Sequence, residues 1–195
     1  MLKIVPLQAY IIDMFKKIPN YIKYIFTNVF FLFIFIAFFR GLFYTFFASL
    51  ENVSSQEIQK ALLLGLRFDL KLAILTFFPL VIFVLIINHN FFKSIIYKRI
   101  AAIYITLSYL ILTLFYLFDF GYYEYLAIRL DASSLRFLSN FKISFQVLIE
   151  SYPIYKGVFG LTILCFIIYK YATLIFSIFN KGYQKITNKL KAVFF

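Results

Sequence analysis

The sequence predicts an all-α integral membrane protein, a polytopic helical bundle, and three observations carry that prediction. Of the 195 residues, 64% are hydrophobic, 23% aromatic and only 14% charged, against about 45–50% apolar and 25% charged in ordinary soluble domains. The apolar residues gather into runs of roughly 18 or more, long enough to cross a hydrocarbon core of about 30 Å as a helix. The formal charge of +12 comes from lysines and arginines beside those runs, where anionic lipid headgroups meet them. The same charge on a soluble protein would suggest nucleic acid; here it makes membrane phospholipid the partner and excludes nucleic acid.

The first run, "YIFTNVFFLFIFIAFFRGLFYTFF", covers Tyr24 to Phe47 and follows Lys16, Lys17 and Lys23. It is longer than a signal-peptide core and no small-residue cleavage site follows it, so it reads as an uncleaved span. Ahead of it, "LQAYIIDMFKKIPNY" groups Ile11, Ile12 and Phe15 with lysines beside them, the pattern of a short interfacial helix ended by Pro19. The second run, Leu70 to Ile87, contains Pro79 as an expected kink. The third covers Ile100 to Phe118 and the fourth Tyr155 to Phe176. After the basic "NKGYQKITNKLK", the final "AVFF" reads as the start of a fifth span that is cut off. All 195 residues thus form one transmembrane domain.

Orientation follows from lysine and arginine on alternate sides. Lys3, Lys16, Lys17, Lys23, Lys93, Lys98, Arg99, Lys181, Lys185, Lys189 and Lys191 collect on one side, which the positive-inside rule makes cytoplasmic. The expectation is a multi-pass protein of a bacterial cytoplasmic membrane with its N-terminus inside. Residues 48–69 and 119–153 are then the outer loops. In the second, Asp131 and Ser144 are N-cap candidates for helices lying in the headgroup layer, the latter stopping at Pro153.

The candidate functional residues cluster on the outer side. Arg40 stands inside the first run, in "FFRGLF"; a charge at the bilayer centre costs about 2.5–3.5 kcal/mol on insertion scales. Near the outer end it can snorkel, pair with Asp69 or Asp119, or hold a lipid phosphate. In "GLRFDLK", Arg67 and Lys71 are four residues apart on one helical face, with Asp69 on another. Two cations so placed can clamp a phosphodiester, or simply anchor the helix at the interface. "FDFGYYEYLAIRLDASSLRFL", Phe118 to Leu138, sets Asp119, Glu124 and Asp131 among tyrosines suited to an aromatic belt, and its acids are placed to hold Arg129 and Arg136.

Catalytic chemistry has little to work with. The only histidine, His89, falls on the cytoplasmic side, opposite most of the acids. The chain holds no HExxH, CxxC or P-loop pattern, and the lone Cys165, inside the fourth run, can form neither an intrachain disulfide nor a cysteine zinc site. No catalytic, cofactor-binding or metal-ligating residue is assigned, and no cofactor is expected in this chain.

Four of these stretches in this order carry a resemblance. An arginine in the outer part of the first span, "GLRFDLKLA" opening the second, "FDFGYYEYLAIRLDASSLRFL" after the third and "ESYPIYKG" opening the fourth together resemble the N-terminal membrane domain of the lipoteichoic acid synthase family. The likeness runs from about Phe30 to Lys170. It departs from the family pattern at Asp131, where relatives tend to carry Asn, and at Lys156, where they carry an aromatic residue. The resemblance implies a phosphoglycerol or phosphoethanolamine transferase with five N-terminal spans and then an extracytoplasmic sulfatase-like domain. That domain would supply the threonine nucleophile and a divalent metal, manganese, magnesium or zinc; none of it lies in this sequence. The membrane part is then expected to anchor that domain, to contact it, and to dock anionic lipid through residues such as Arg67, Asp119, Arg129 and Arg136. The competing expectation is a self-sufficient small membrane protein, such as a transporter or complex subunit. Against transport, no span shows a buried acid or a paired polar set in its middle.

Overall fold

The computed structural model describes residues 18–47, 54–87, 91–131 and 154–194, the last stretch with side chains for residues 155–181. Four α-helices account for almost all of them: α1 (Asn20–Phe47), α2 (Ser55–Ile87), α3 (Ile95–Leu126) and α4 (Ile154–Phe194). Each is long and apolar enough to cross a membrane, and the protein is a multi-pass helical bundle. Among the described residues there is no strand.

The helices outrun the apolar runs at their ends, because hydropathy marks only the part that suits lipid while capping sets where a helix starts. α2 begins at Ser55, well ahead of Leu70. Its start is a capping box: the Ser54 hydroxyl accepts from the Glu57 amide at 3.3 Å, and the Glu57 carboxylate accepts from the Ser54 amide at 3.1 Å, so the free donors of the first turn are met. Most of the expected outer loop 48–69 is therefore helix, and "GLRFDLK" lies inside α2 rather than at its entry. α3 starts after Ser94, whose hydroxyl accepts from the Ile96 amide, and it continues past Phe118 through "DFGYYEYL". α4 runs on to Phe194, so residues 192–194 continue it instead of opening a separate segment. The helices expected ahead of Pro19 and after Asp131 and Ser144 fall outside the described residues, as does His89.

α1 is the hub of the bundle. Its buried positions Tyr24, Asn28, Leu32 and Ile36 recur every four residues, one stripe of a helix. α2 answers with Gly65, Asp69, Ala73, Phe77, Leu80 and Val84. Pro79 leaves the Leu75 carbonyl without its usual donor; one residue further on, the Tyr104 hydroxyl donates to the Thr76 carbonyl at 2.6 Å and ties α3 to the proline turn. Within α3, the buried Ser108 and Thr113 hydroxyls donate to the carbonyls four residues back, Tyr104 and Tyr109, which satisfies them without a partner helix.

Aromatic side chains fill both ends. Tyr24 sits among Phe91, Phe92, Phe176 and Phe179, with ring centroids 5.5–6.2 Å apart. At the other end Phe39 stacks on Tyr116 at 4.8 Å, and Phe43 and Phe47 meet Phe120 and Tyr123. Such edge-on and offset pairs add about 0.5–1.5 kcal/mol each beyond the area they bury. Outward-facing Phe, Leu and Ile are exposed along every helix, as a lipid solvent requires.

Candidate functional site

At the Phe43 end of the bundle, four charged residues from three helices and the turn after α3 form two ion pairs. Arg40 of α1 points across to α2, where its Nε donates to Asp69 Oδ2 at 2.7 Å and its Nη2 to Oδ1 at 2.5 Å. This is the bidentate fork geometry that makes arginine–carboxylate pairs strong. Asp69 is 2% exposed while the Arg40 side chain keeps 34% of its surface. The close approach depends on Gly65, one turn before Asp69 on the same buried stripe: a Cβ there would lie 2.8–2.9 Å from the guanidinium. Gly65 makes the cradle and Asp69 supplies the acceptor.

The second pair closes a turn. α3 ends at Ala127, which adopts the left-handed conformation with φ 55 and donates its amide to the Tyr123 carbonyl at 2.8 Å, a C-cap usually given to glycine. The chain reverses there and returns Arg129 to Asp119: Nε to Oδ1 at 3.2 Å and Nη2 to Oδ2 at 2.7 Å, with the Leu130 amide also donating to Oδ1 at 2.9 Å. The guanidinium lies over the Phe43 ring at 4.1 Å, a cation–π contact with α1. Asp119 is buried and Arg129 half exposed.

Phe43, which the Arg129 guanidinium covers, stands three residues after Arg40 on α1. The two pairs therefore lie at the same end of the bundle, with two positive and two negative charges between them. Both carboxylates are engaged by arginine forks, so neither is left as a free base. The arginines retain exposed edges through which an anionic oxygen can be bound.

The remaining sequence candidates are placed elsewhere. Arg67 and Lys71 are exposed, on the face of α2 turned from the buried Gly65–Asp69 stripe, and Lys71 lies 5.4 Å from the Phe68 ring. Asp131 is exposed just past the turn. Arg136 lies outside the described residues. Among the described residues no three His, Cys, Asp or Glu side chains come together in a way that could hold a metal ion. One reading changes: the sequence shows no buried acid within a span, whereas Asp69 is a buried acid well inside a continuous helix, neutralised by Arg40.

Two features were not read from the sequence. An apolar groove of about 370 Å³, lined by residues including Phe31, Phe35, Tyr109, Ile168 and Tyr171, opens where α1, α3 and α4 meet. Buried Asn28 of α1 also passed unnoticed; a polar amide amid the phenylalanines of a span was its only signal. No family model matches the chain, and no curated protein or solved structure matches it significantly.

Proposed function

We propose that this chain is the membrane-anchoring N-terminal region of an extracytoplasmic phosphoglycerol or phosphoethanolamine transferase of the lipoteichoic acid synthase type. It sits in a bacterial cytoplasmic membrane with its N-terminus inside, and its Arg40–Arg129 end docks anionic phospholipid. The observation that carries this reading is the pairing of motif residues. The arginine of the first span bonds the aspartate of "GLRFDLKLA", and the aspartate of "FDFGYY" bonds the arginine of "IRLDAS". Three of the four stretches on which the resemblance rests thus contribute the charged side chains that meet. In this reading the pairs hold the guanidinium edges at the outer interface, where a phosphate is bound without a bare cation entering the hydrocarbon core.

Phospholipid binding by the purified protein, compared with Arg67→Ala and Arg129→Ala, tests the docking part. Arg129→Ala is expected to bind anionic lipid more weakly than the parent protein does, with binding of zwitterionic lipid unaffected. Unchanged binding in both variants removes lipid docking from the function.

A further inference from the structure

α4 packs against the bundle along only part of its length. Ile168, Ala172 and Phe176 are buried, with Leu164, Tyr171 and Ile175 packed against the same core. Continuing by threes and fours from Leu164 toward Ile154, this face of the helix presents Gly160 and then Gly157, and a Cβ at either would meet nothing within 4 Å. Every residue from Tyr155 to Gly160 is exposed, a stretch long enough to cover all sides of a helix. The Ile154 end of α4 therefore stands clear of α1 and α3 and leaves a cleft, whose base is the apolar groove beside Phe31, Tyr109 and Tyr171.

Depth in the membrane decides what the cleft can take. α4 runs antiparallel to α1, with the Asn20 side chain donating to the Phe179 carbonyl and Phe31 against Tyr171 at 5.3 Å. Phe31 lies eight residues after Lys23 and nine before Arg40, about 12 and 14 Å at a rise of 1.5 Å per residue. The Phe31–Tyr171 contact thus stands at the middle of a hydrocarbon core about 30 Å thick. From Tyr171 the open face climbs about 17 Å to Gly160 and about 21 Å to Gly157, toward the ion-pair end. That is the depth of one leaflet, about 15 Å, and the start of its headgroup layer.

The α1 wall of the groove is Phe31, Ile34, Phe35 and Phe38, with none of the small residues through which membrane helices approach closely. A flexible hydrocarbon chain, by contrast, can lie between these side chains and the bare glycine backbone. Lys156, exposed next to Gly157, sets a cation at the mouth, where an anionic headgroup is attracted.

We propose that this cleft seats one acyl chain of an anionic phospholipid from the leaflet at the ion-pair end, with its headgroup at Lys156. The seat is separate from the ion pairs: Arg40 stands about two and a half turns from Phe31 and so faces the opposite side of α1. It does not depend on the transferase reading.

The chain contains no tryptophan, so Phe31→Trp reports on what fills the base of the cleft. Phe78→Trp, at an exposed position of α2 nine residues from Asp69 and so at a similar depth, reports on ordinary surrounding lipid. Each variant is reconstituted in phosphatidylcholine vesicles holding a small fraction of phosphatidylglycerol brominated near its chain ends, which quenches tryptophan on contact. Quenching of Phe31→Trp is several-fold stronger than that of Phe78→Trp, and stronger than with brominated phosphatidylcholine at the same fraction. Adding Gly160→Phe, which occupies open space and leaves the packed half of α4 untouched, brings Phe31→Trp down to the level of Phe78→Trp. Adding Lys156→Ala removes the preference for the anionic lipid. Equal quenching at the two positions, or quenching of Phe31→Trp that Gly160→Phe leaves unchanged, overturns the proposal. So does an anionic preference that survives Lys156→Ala, or a cross-linked dimer lost in Gly160→Phe, which would put a second copy in the cleft.

Discussion

Arg40 of α1 holds Asp69 of α2 through two parallel hydrogen bonds, and the carboxylate it holds is 2% exposed. A charge that looked costly in the first span is thereby matched by a second one that would be costly alone. The pair is a clasp between two strongly apolar helices.

Breaking the clasp from one side should cost far more than removing it whole. Arg40→Leu strands a buried carboxylate, a loss of about 3–5 kcal/mol for a buried pair, at the lower end here because Arg40 is one-third exposed. Arg40→Leu with Asp69→Leu should recover most of that loss. Unfolding of the purified protein in detergent measures it; single-variant losses that simply add in the double variant would show that the two residues do not interact.

Gly65 gives a change of sign. Gly65→Ala improves helix propensity by about 0.8–1.0 kcal/mol but pushes on the guanidinium, so in the parent it should lower the unfolding midpoint. In the Arg40→Leu, Asp69→Leu background the same substitution should be neutral or stabilising. A similar loss in both backgrounds would mean that Gly65 serves something other than Arg40.

Ala127 carries a left-handed φ without being glycine. That conformation costs an L-residue roughly 1–2 kcal/mol, offset in part by the greater unfolded-state freedom of glycine. Ala127→Gly should therefore stabilise the protein by about 0.5–1 kcal/mol, read as a higher thermal midpoint, while β-branched Ala127→Val should lower it and loosen Arg129 from Asp119. A lower midpoint for Ala127→Gly would contradict the C-cap.

The proposed orientation, with the ion pairs outside, is directly measurable. With Cys165 replaced by Ala, a cysteine at Tyr125 should react with a membrane-impermeant maleimide added to intact cells, and one at Arg99 only after lysis. The reverse pattern would put the cluster on the cytoplasmic side and exclude an extracytoplasmic enzyme above it.

The sequence made the membrane class and the four helices plain, because runs such as "VFFLFIFIAFF" fit lipid and little else. The helix ends were hidden from it, since they depend on the Ser54–Glu57 box and on the turn at Ala127 rather than on hydropathy. Arg40 announced itself as anomalous, and Asp69 and Asp119 were both at hand as partners. Choosing Asp69 needs the rotation and height of α1 against α2, which Gly65 fixes by letting the guanidinium lie against the helix. The return of Arg129 to Asp119 needs a left-handed residue at Ala127, for which alanine gives no warning.

The most direct test of the proposed function is the size of the native gene product, read on an immunoblot of membranes from the source cell with an antibody against this region. The account predicts a band much larger than the 23.2 kDa of these residues, reflecting a large extracytoplasmic domain joined to the bundle. A stable native product of about that mass would contradict it.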